Sequence, residues 1–149
     1  MRASMHRLIG FAGLAAGLMS AGEVVAQAGN TISIPIAGLR NSDGNVRCGL
    51  YNSADGFREP GKELMGVVAP IKAQQATCVF LKVPAGTYAV AVFHAENGET
   101  QIGYGLFGKP KQGYGFSRNP SSSFGPPSFA AASFAYKSGT ASYPVTLGY

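Results

Sequence analysis

The chain has 149 residues, of which 46% are hydrophobic and 13% charged, and its formal net charge is +5 at pH 7. The basic residues are scattered singly rather than gathered into a stripe, which argues against a nucleic-acid-binding protein and leaves a weak attraction to anionic surfaces of a cell envelope. The length suits one hydrophobic core.

Residues 1–28 have the pattern of a secretory signal peptide. Arg2 and Arg7 precede an apolar run of about a dozen residues, Leu8–Met19, and Ala26-Gln27-Ala28 fits the A-x-A pattern of a cleavage site. The run is shorter than the roughly 20 residues of a membrane-spanning helix, although a retained anchor is the alternative. We therefore expect a periplasmic or secreted protein whose mature part, residues 29–149, forms a single domain with no transmembrane segment.

The two cysteines, Cys48 and Cys78, form an even pair in a chain that we expect to be exported. An oxidising compartment favours a disulfide between them, and no C-x-x-C motif indicates redox chemistry. The bridge would close a loop of about 31 residues and stabilise the fold by roughly 3 to 4 kcal/mol.

Two strands are predicted first, on either side of a turn at residues 41–45. In Thr31–Ile36 every second residue is isoleucine, the period of a half-buried strand, and Pro35 predicts that this strand lies at a sheet edge. Val46–Tyr51 alternates in the same way, with an inward face of Val46, Cys48 and Leu50.

Residues 52–66 are polar and predict a loop anchored by Phe57, followed by strands at Val67–Lys72 and Thr77–Val83. The second of these strands is apolar on both faces, which predicts a central position in its sheet. Pro84-Ala85-Gly86 then predicts a turn with positive φ at the glycine.

Thr87–His94 is the most regular predicted strand. One face carries Tyr88, Val90, Val92 and His94, and the other carries Ala89, Ala91 and Phe93. The small residues of the second face predict that another layer approaches it closely.

Residues 95–129 have no periodicity and contain seven glycines, four prolines and six aromatic residues. The aromatic residues predict an ordered flap that packs on the rest of the fold, because a disordered linker would lack them. A last hairpin is predicted from residues 133–136 and 142–147, with a turn at residues 137–139. About seven short strands without an amphipathic helix predict an all-β, antiparallel β-sandwich of the immunoglobulin-like or transthyretin-like kind.

Three segments carry a family resemblance: Pro84–His94, Gly108–Ser117, and Pro126–Phe129 with Ala132 and Phe134. In this order they resemble the bacterial domain-of-unknown-function family 2141, over about Thr31 to Tyr149. The resemblance implies a small exported β-sandwich with no established activity. The shorter Pro-x-Gly-x-Tyr-x-Val pattern is also similar to transthyretin-like and carboxypeptidase-regulatory-like domains.

Members of this family usually follow the histidine with alternating Asp and Asn residues, similar to a calcium-binding loop. This chain departs from that pattern, since Ala95 stands at the first Asp, Thr100 at the glycine and Gly103 at the closing Asp. Glu96, Asn97 and Glu99 remain as candidate metal ligands. The lost carboxylates predict that calcium binding is severely weakened, so we expect no cofactor and keep a calcium-binding module as the alternative function.

His94 is the single histidine of residues 29–149. Ser117 or Ser128, with Asp43 or Asp55, would formally complete a Ser-His-Asp set, but no G-x-S-x-G motif exposes a serine. A zinc site would need further ligands, and both cysteines are expected to be oxidised. We favour a structural role in which His94 hydrogen-bonds the loop backbone, and a hydrolase ranks third among the functions.

The aromatic residues Tyr104, Phe107, Tyr114 and Phe116 lie among glycines that allow their rings to turn inward and pack. We favour this structural role over ligand binding, for which nearby basic residues such as Arg118 would help. The function predicted is a non-catalytic envelope module, not an enzyme, that meets a protein, peptide or glycan through residues 95–129. Its candidate binding residues are His94, Tyr104, Phe107, Tyr114, Phe116 and Arg118.

Overall fold

The computed structural model describes residues 29–149, so the predicted signal peptide lies outside the described residues. In chain order the strands are β1 (Thr31–Ala37), β2 (Asn45–Tyr51), β3 (Met65–Pro70), β4 (Ala76–Leu81), β5 (Gly86–Ala95), β6 (Tyr114–Phe116), β7 (Phe134–Tyr136), β8 (Thr140–Ser142) and β9 (Val145–Thr146). A short α-helix, α1 (Phe129–Ala132), precedes β7, and a 3-10 turn at Leu106–Gly108 precedes β6. The all-β prediction is confirmed, and no helix within residues 29–149 is long and apolar enough to cross a membrane.

The first sheet, called sheet 1, has the order β4-β1-β8, with β9 also paired to β1. The prediction that Pro35 places β1 at an edge is wrong, because β1 pairs with β4 on one side and with β8 and β9 on the other. The carbonyls of Ser33 and Ala37 accept hydrogen bonds from this second side. Pro35 lies between them, opposite the break between β8 and β9, where no backbone N–H is required.

The prediction that the fourth strand is central is also wrong. β4 is an edge strand of sheet 1, and the outward side chains of Val79 and Leu81 are exposed. Apolar residues on both faces therefore do not indicate a central strand here, because one of those faces meets solvent. The prediction of a positive φ at Gly86 is wrong as well. Gly86 begins β5, and the positive φ, 56°, is at Lys82.

The second sheet, called sheet 2, has the order β3-β2-β5-β6, with β7 paired to the first residues of β5. The predicted C-terminal hairpin is wrong, because β7 joins sheet 2 whereas β8 and β9 join sheet 1. Both of these last strands run parallel to β1, so the pairing is not purely antiparallel.

The core lies between the inner faces of the two sheets. The alternating isoleucines of β1 pack against Val46 and Leu50 of β2 and against Val90 and Val92 of β5. The predicted disulfide is confirmed: Cys48 in β2 and Cys78 in β4 are bonded, which joins sheet 2 to sheet 1 through the core.

The outer face of sheet 2 is only partly covered. A second apolar cluster of Tyr51, Phe57, Ala89, Phe116 and Ala132 covers the part around Ala89, with Phe129 packed against it. Phe57 anchors the loop before β3, as predicted. Ala89 thus allows the close approach of another layer, although that layer is made of loops and α1.

Residues 95–129 are less inwardly packed than predicted. Phe116 is buried and Tyr114 is half-buried, whereas Tyr104, Phe107 and Phe124 are exposed. The inward-packing interpretation is therefore wrong for Tyr104 and Phe107. The uncovered part of sheet 2 forms a groove beneath this segment.

Candidate binding groove

The floor of the groove is a row of small residues across three strands of sheet 2. The strand register pairs Gly49 of β2 with Gly66 of β3 on one side and with Ala91 of β5 on the other. Three adjacent positions thus have almost no side chain, and the sheet surface is depressed there. A side chain at position 49 would also collide with the ring of Tyr51, whose atom Cε2 would lie 2.9 Å from a Cβ atom there.

The walls of the groove are taller residues around this floor. Tyr51 stands on the row to one side, and Phe93 and Tyr114 stand on the row to the other. Phe116 of β6, opposite Ala91, ends the row of small residues, and Tyr104 closes the rim from a loop. The volume of the groove is about 660 Å³. This volume lies within the range of small-ligand sites, which is roughly 300 to 1,000 Å³.

Arg47 lies on the outer face of sheet 2 and lines the groove. The register places it between Val68 of β3 and Phe93 of β5, and its side chain is half-buried. Within residues 29–149, its Nε–H is buried without a hydrogen-bond acceptor, and no carboxylate lies within 4.0 Å of its guanidinium. Asn45, on the same face of β2, has the other buried side-chain atom without a partner in this part of the chain, Oδ1.

The charges that line the groove are mostly positive. Among residues 29–149, Arg47, Arg58 and Lys109 contribute three cations to the lining, and Glu63 contributes one carboxylate. Burial, and then the nearby charge of Glu63, raise the pKa of Tyr51 to about 12, so the phenol stays neutral at physiological pH. The groove therefore combines aromatic walls with a net positive potential.

The predicted binding residues divide into two sets. Tyr104, Tyr114 and Phe116 line the groove. His94, Phe107 and Arg118 do not, since Phe107 is exposed on a loop tip and the guanidinium of Arg118 donates to the carbonyl of Ser133 at 3.3 Å.

His94 is fully buried at the end of β5. Its Nε2 lies 2.7 Å from the backbone carbonyl of Asp43, which only accepts, so this nitrogen carries the proton and donates. In the neutral ring, Nδ1 then accepts from the hydroxyl of Tyr149, also at 2.7 Å. Both ring nitrogens are thus committed to structural hydrogen bonds.

Around His94, further contacts complete a polar cluster that we call the His94 cluster. The guanidinium of Arg40 pairs with Glu96, with Nη2 2.6 Å from Oε2, and lies 4.6 Å from the ring centre of Tyr149. Asn41 donates to the same carboxylate at 3.0 Å. Tyr149 packs directly over Gly113, where any side chain would overlap its ring.

The candidate metal ligands are not brought together. The hydrogen bonds from Arg40 and Asn41 lower the pKa of Glu96 to about 2, so this carboxylate is ionised and already paired. Glu99 instead accepts from the backbone and side chain of Asn97. Within residues 29–149, no three His, Cys, Asp or Glu residues cluster as a metal site would require.

The two candidate nucleophiles also have structural partners. Ser117 is fully buried, where its hydroxyl accepts from the N–H of Val90 at 2.9 Å and donates to the carbonyl of Ala132. Ser128 caps the N-terminus of α1 by accepting from the N–H of Ala131. Neither serine hydrogen-bonds to His94.

Sequence reasoning missed Arg47, Gly49, Gly66 and Ala91 as parts of one site. The alternation in β2 already places Arg47 and Gly49 on the outward face of the strand, since Cys48 between them faces inward. The missing information was the register, because only the pairing of β3, β2 and β5 brings the three small residues into one row.

The fold and the groove define a disulfide-bonded, all-β sandwich with a ligand-sized depression on one outer sheet face. Residues 34–143 match the model of the family described as "Uncharacterized protein conserved in bacteria (DUF2141)", so the chain belongs to this family. The family resemblance predicted from the sequence motifs is therefore confirmed. No curated protein and no solved structure significantly matches the chain.

Proposed function

We propose that this chain is an exported, non-catalytic binding module of the bacterial envelope that holds an acidic polysaccharide in the groove of sheet 2. The observation that carries the proposal is Arg47, a half-buried cation without a partner among residues 29–149 in a groove of ligand size. The disulfide and the predicted signal peptide support export, since disulfides persist in oxidising compartments.

An unpartnered guanidinium N–H is costly. Leaving a buried donor unsatisfied costs about 1 to 3 kcal/mol, and more when the group is charged. Arginine presents a planar set of donors that suits a carboxylate or a sulfate, because two parallel hydrogen bonds form at once. An anionic group of the ligand would give the guanidinium of Arg47 the ion-pair partner that residues 29–149 do not supply.

The position of the groove favours a glycan over an extended peptide. A peptide strand binds to the edge of a sheet, where backbone N–H and C=O groups are available. The groove lies on the face of sheet 2, which offers side chains. A sugar ring has an apolar C–H face and a polar rim, and the aromatic walls with Arg47, Glu63 and Gln101 match both.

The number of carboxylates in the groove supports binding rather than cleavage. Among the described residues one carboxylate lines the groove, that of Glu63, whereas most glycoside hydrolases use a pair of carboxylates flanking the scissile bond.

Calorimetric titration with two probes tests the proposal: an oligogalacturonate hexamer, which is anionic, and maltohexaose, which is neutral. We expect the anionic probe to bind and Arg47→Leu to weaken its binding at least tenfold, which corresponds to one lost charge-assisted contact. Lys137→Gln removes one charge outside the groove and serves as the matched control. Equal binding by Arg47→Leu and the wild-type protein would contradict the proposal.

A second variant blocks the groove without touching Arg47. A Cβ atom at Gly66 would meet only the side chain of Glu63, at 3.6 Å, so Gly66→Leu fits the fold while it fills the floor. We expect it to abolish binding and to keep the wild-type melting temperature. Retained affinity in this variant would place the ligand elsewhere.

A further inference from the structure

Two loops at the rim of the groove end in fully exposed large apolar side chains. Leu106 is 86% exposed, Phe107 103% and Phe124 105%, more than the other large hydrophobic residues in the described part of the chain. We call these three residues the apolar tips. Both loops also line the groove, through Tyr104 and Lys109 on one and through Gly125 and Pro126 on the other, so the apolar tips stand beside its mouth.

The first loop holds its tip outward by backbone hydrogen bonds. Gly105 donates to the carbonyl of Lys109 and Lys111 donates to that of Gly103, both at 2.8 Å, which closes a narrow hairpin. Phe107 occupies the turn with a φ of 61°, a left-handed conformation that is uncommon for a bulky residue. The folded loop thus presents an aromatic ring to solvent at a conformational cost, which points to a role outside the core.

The segment of the chain that carries the apolar tips has charges of one sign. Residues 100–149 contain no Asp or Glu and four basic residues, Lys109, Lys111, Arg118 and Lys137. Two of these basic residues directly follow the first tip. A surface that offers a negative charge to them and an apolar interior to the tips would satisfy both features at once.

We propose that the apolar tips insert into a lipid surface rich in anionic headgroups, with Lys109 and Lys111 contacting those headgroups. Phe and Leu beside lysines is the combination found in segments that lie at membrane interfaces. The apolar tips are three side chains on two loops, whereas a protein partner needs a continuous surface of roughly 800 Å² per side. Docking through both loops places the mouth of the groove next to the lipid surface.

Co-sedimentation with vesicles tests this proposal, with vesicles of equal parts phosphatidylglycerol and phosphatidylcholine compared with pure phosphatidylcholine. We expect the wild-type chain to bind the anionic vesicles preferentially and to be released by high salt. The variant Leu106→Ser/Phe107→Ser/Phe124→Ser should lose binding by more than tenfold, because burial of one such side chain is worth about tenfold. Lys109→Gln/Lys111→Gln should weaken binding several-fold for the anionic vesicles.

The matched control is Val79→Thr/Leu81→Thr, which removes two exposed apolar residues from the outer face of sheet 1 and places threonine, a residue common in strands, at both positions of β4. It should bind vesicles as the wild-type chain does, and circular dichroism melting curves should show all variants folded. Failure of the wild-type chain to bind anionic vesicles would overturn the proposal. So would unchanged binding by the triple variant, or equal loss in the control.

A second copy of the chain, rather than a lipid surface, is the other partner that could cover the apolar tips, and a further measurement distinguishes the two. Sedimentation equilibrium of the wild-type chain should show a monomer, and a dimer that the triple variant abolishes would overturn the membrane proposal. The outcome is independent of the glycan experiment. Vesicle binding without oligosaccharide binding would support membrane docking and contradict the proposed function, and the reverse result would do the opposite.

Discussion

Two polar regions of this molecule differ in how their hydrogen bonds are completed. In the His94 cluster the ring nitrogens of His94, the carboxylate of Glu96 and the hydroxyl of Tyr149 all have partners within the chain. In the groove, the half-buried Arg47 has an Nε–H without an acceptor among the described residues. The first region is closed and the second is open.

An unusual residue type and a residue with unsatisfied hydrogen-bonding groups are therefore separate indications of a functional site. His94, the single histidine of residues 29–149, is conspicuous in the sequence, yet its contacts explain it as a structural link between the loop before β2, the end of β5 and Tyr149. Arg47 on an amphipathic strand is inconspicuous in the sequence, yet its buried N–H has no hydrogen-bond acceptor within residues 29–149. The open polar group is the better indicator of a ligand.

The largest expected effect comes from breaking the closed region. His94→Leu removes both hydrogen bonds and leaves the carbonyl of Asp43 without its donor, so the free energy of unfolding should fall by about 2 to 4 kcal/mol. Urea denaturation at pH 7 measures this loss. Tyr149→Phe removes one of the two hydrogen bonds and should cost about 1 kcal/mol.

Asp43→Ala is the control for His94, since the histidine contacts the backbone of Asp43 and not its carboxylate. The control should change stability by less than about 0.5 kcal/mol, the usual range for a surface substitution. A large effect of Asp43→Ala with a small effect of His94→Leu would show that the carboxylate, rather than the imidazole, supports this region.

A smaller effect is expected on the pH dependence of the same region. The partners of Glu96 lower its pKa from the usual 4.5 to about 2, so between these values the unfolded chain binds more protons than the folded one. The stability contributed by Glu96 is therefore fully present above about pH 4.5 and is lost as the pH falls towards 2. Urea denaturation from pH 2 to 6 should show a shallower acid slope for Glu96→Gln than for the wild-type chain.

Glu59→Gln is the control for the acid slope, because no ion pair of Glu59 exists among residues 29–149. It should follow the wild-type curve. Identical slopes for Glu96→Gln and the wild-type chain would mean that the pair with Arg40 contributes nothing to stability.

The sequence predicted the layers of the fold better than the order of its strands. Alternation separated the two faces of β1, β2 and β5 correctly, because burial on one side imposes a period of two residues. The same alternation carries no information about neighbours. Pro35 predicted an edge strand, but the break between β8 and β9 accommodates this proline inside sheet 1.

The groove was beyond prediction for the same reason. Tyr104, Tyr114 and Phe116 were found as candidates because aromatic residues among glycines are conspicuous in a sequence. The floor depends on Gly49, Gly66 and Ala91, which are far apart in the chain and meet only through the strand register. The lack of a partner for Arg47 is a property of three-dimensional contacts alone.

The smallest expected effect, and the sharpest test of the comparison, is the stability of Arg47→Leu. Loss of a charged residue from a half-buried site normally destabilises a protein when that residue had partners, as for Glu96. At Arg47 the substitution removes an unsatisfied donor and keeps an aliphatic side chain between Val68 and Phe93. The free energy of unfolding should therefore stay unchanged or rise by about 1 kcal/mol.

Urea denaturation at pH 7, without ligand, measures the free energy of unfolding of Arg47→Leu. The control is Gly66→Leu, which also alters the groove but leaves Arg47 in place. A loss of more than about 1 kcal/mol in Arg47→Leu would mean that the guanidinium is satisfied in the free protein. The groove would then be as closed as the His94 cluster.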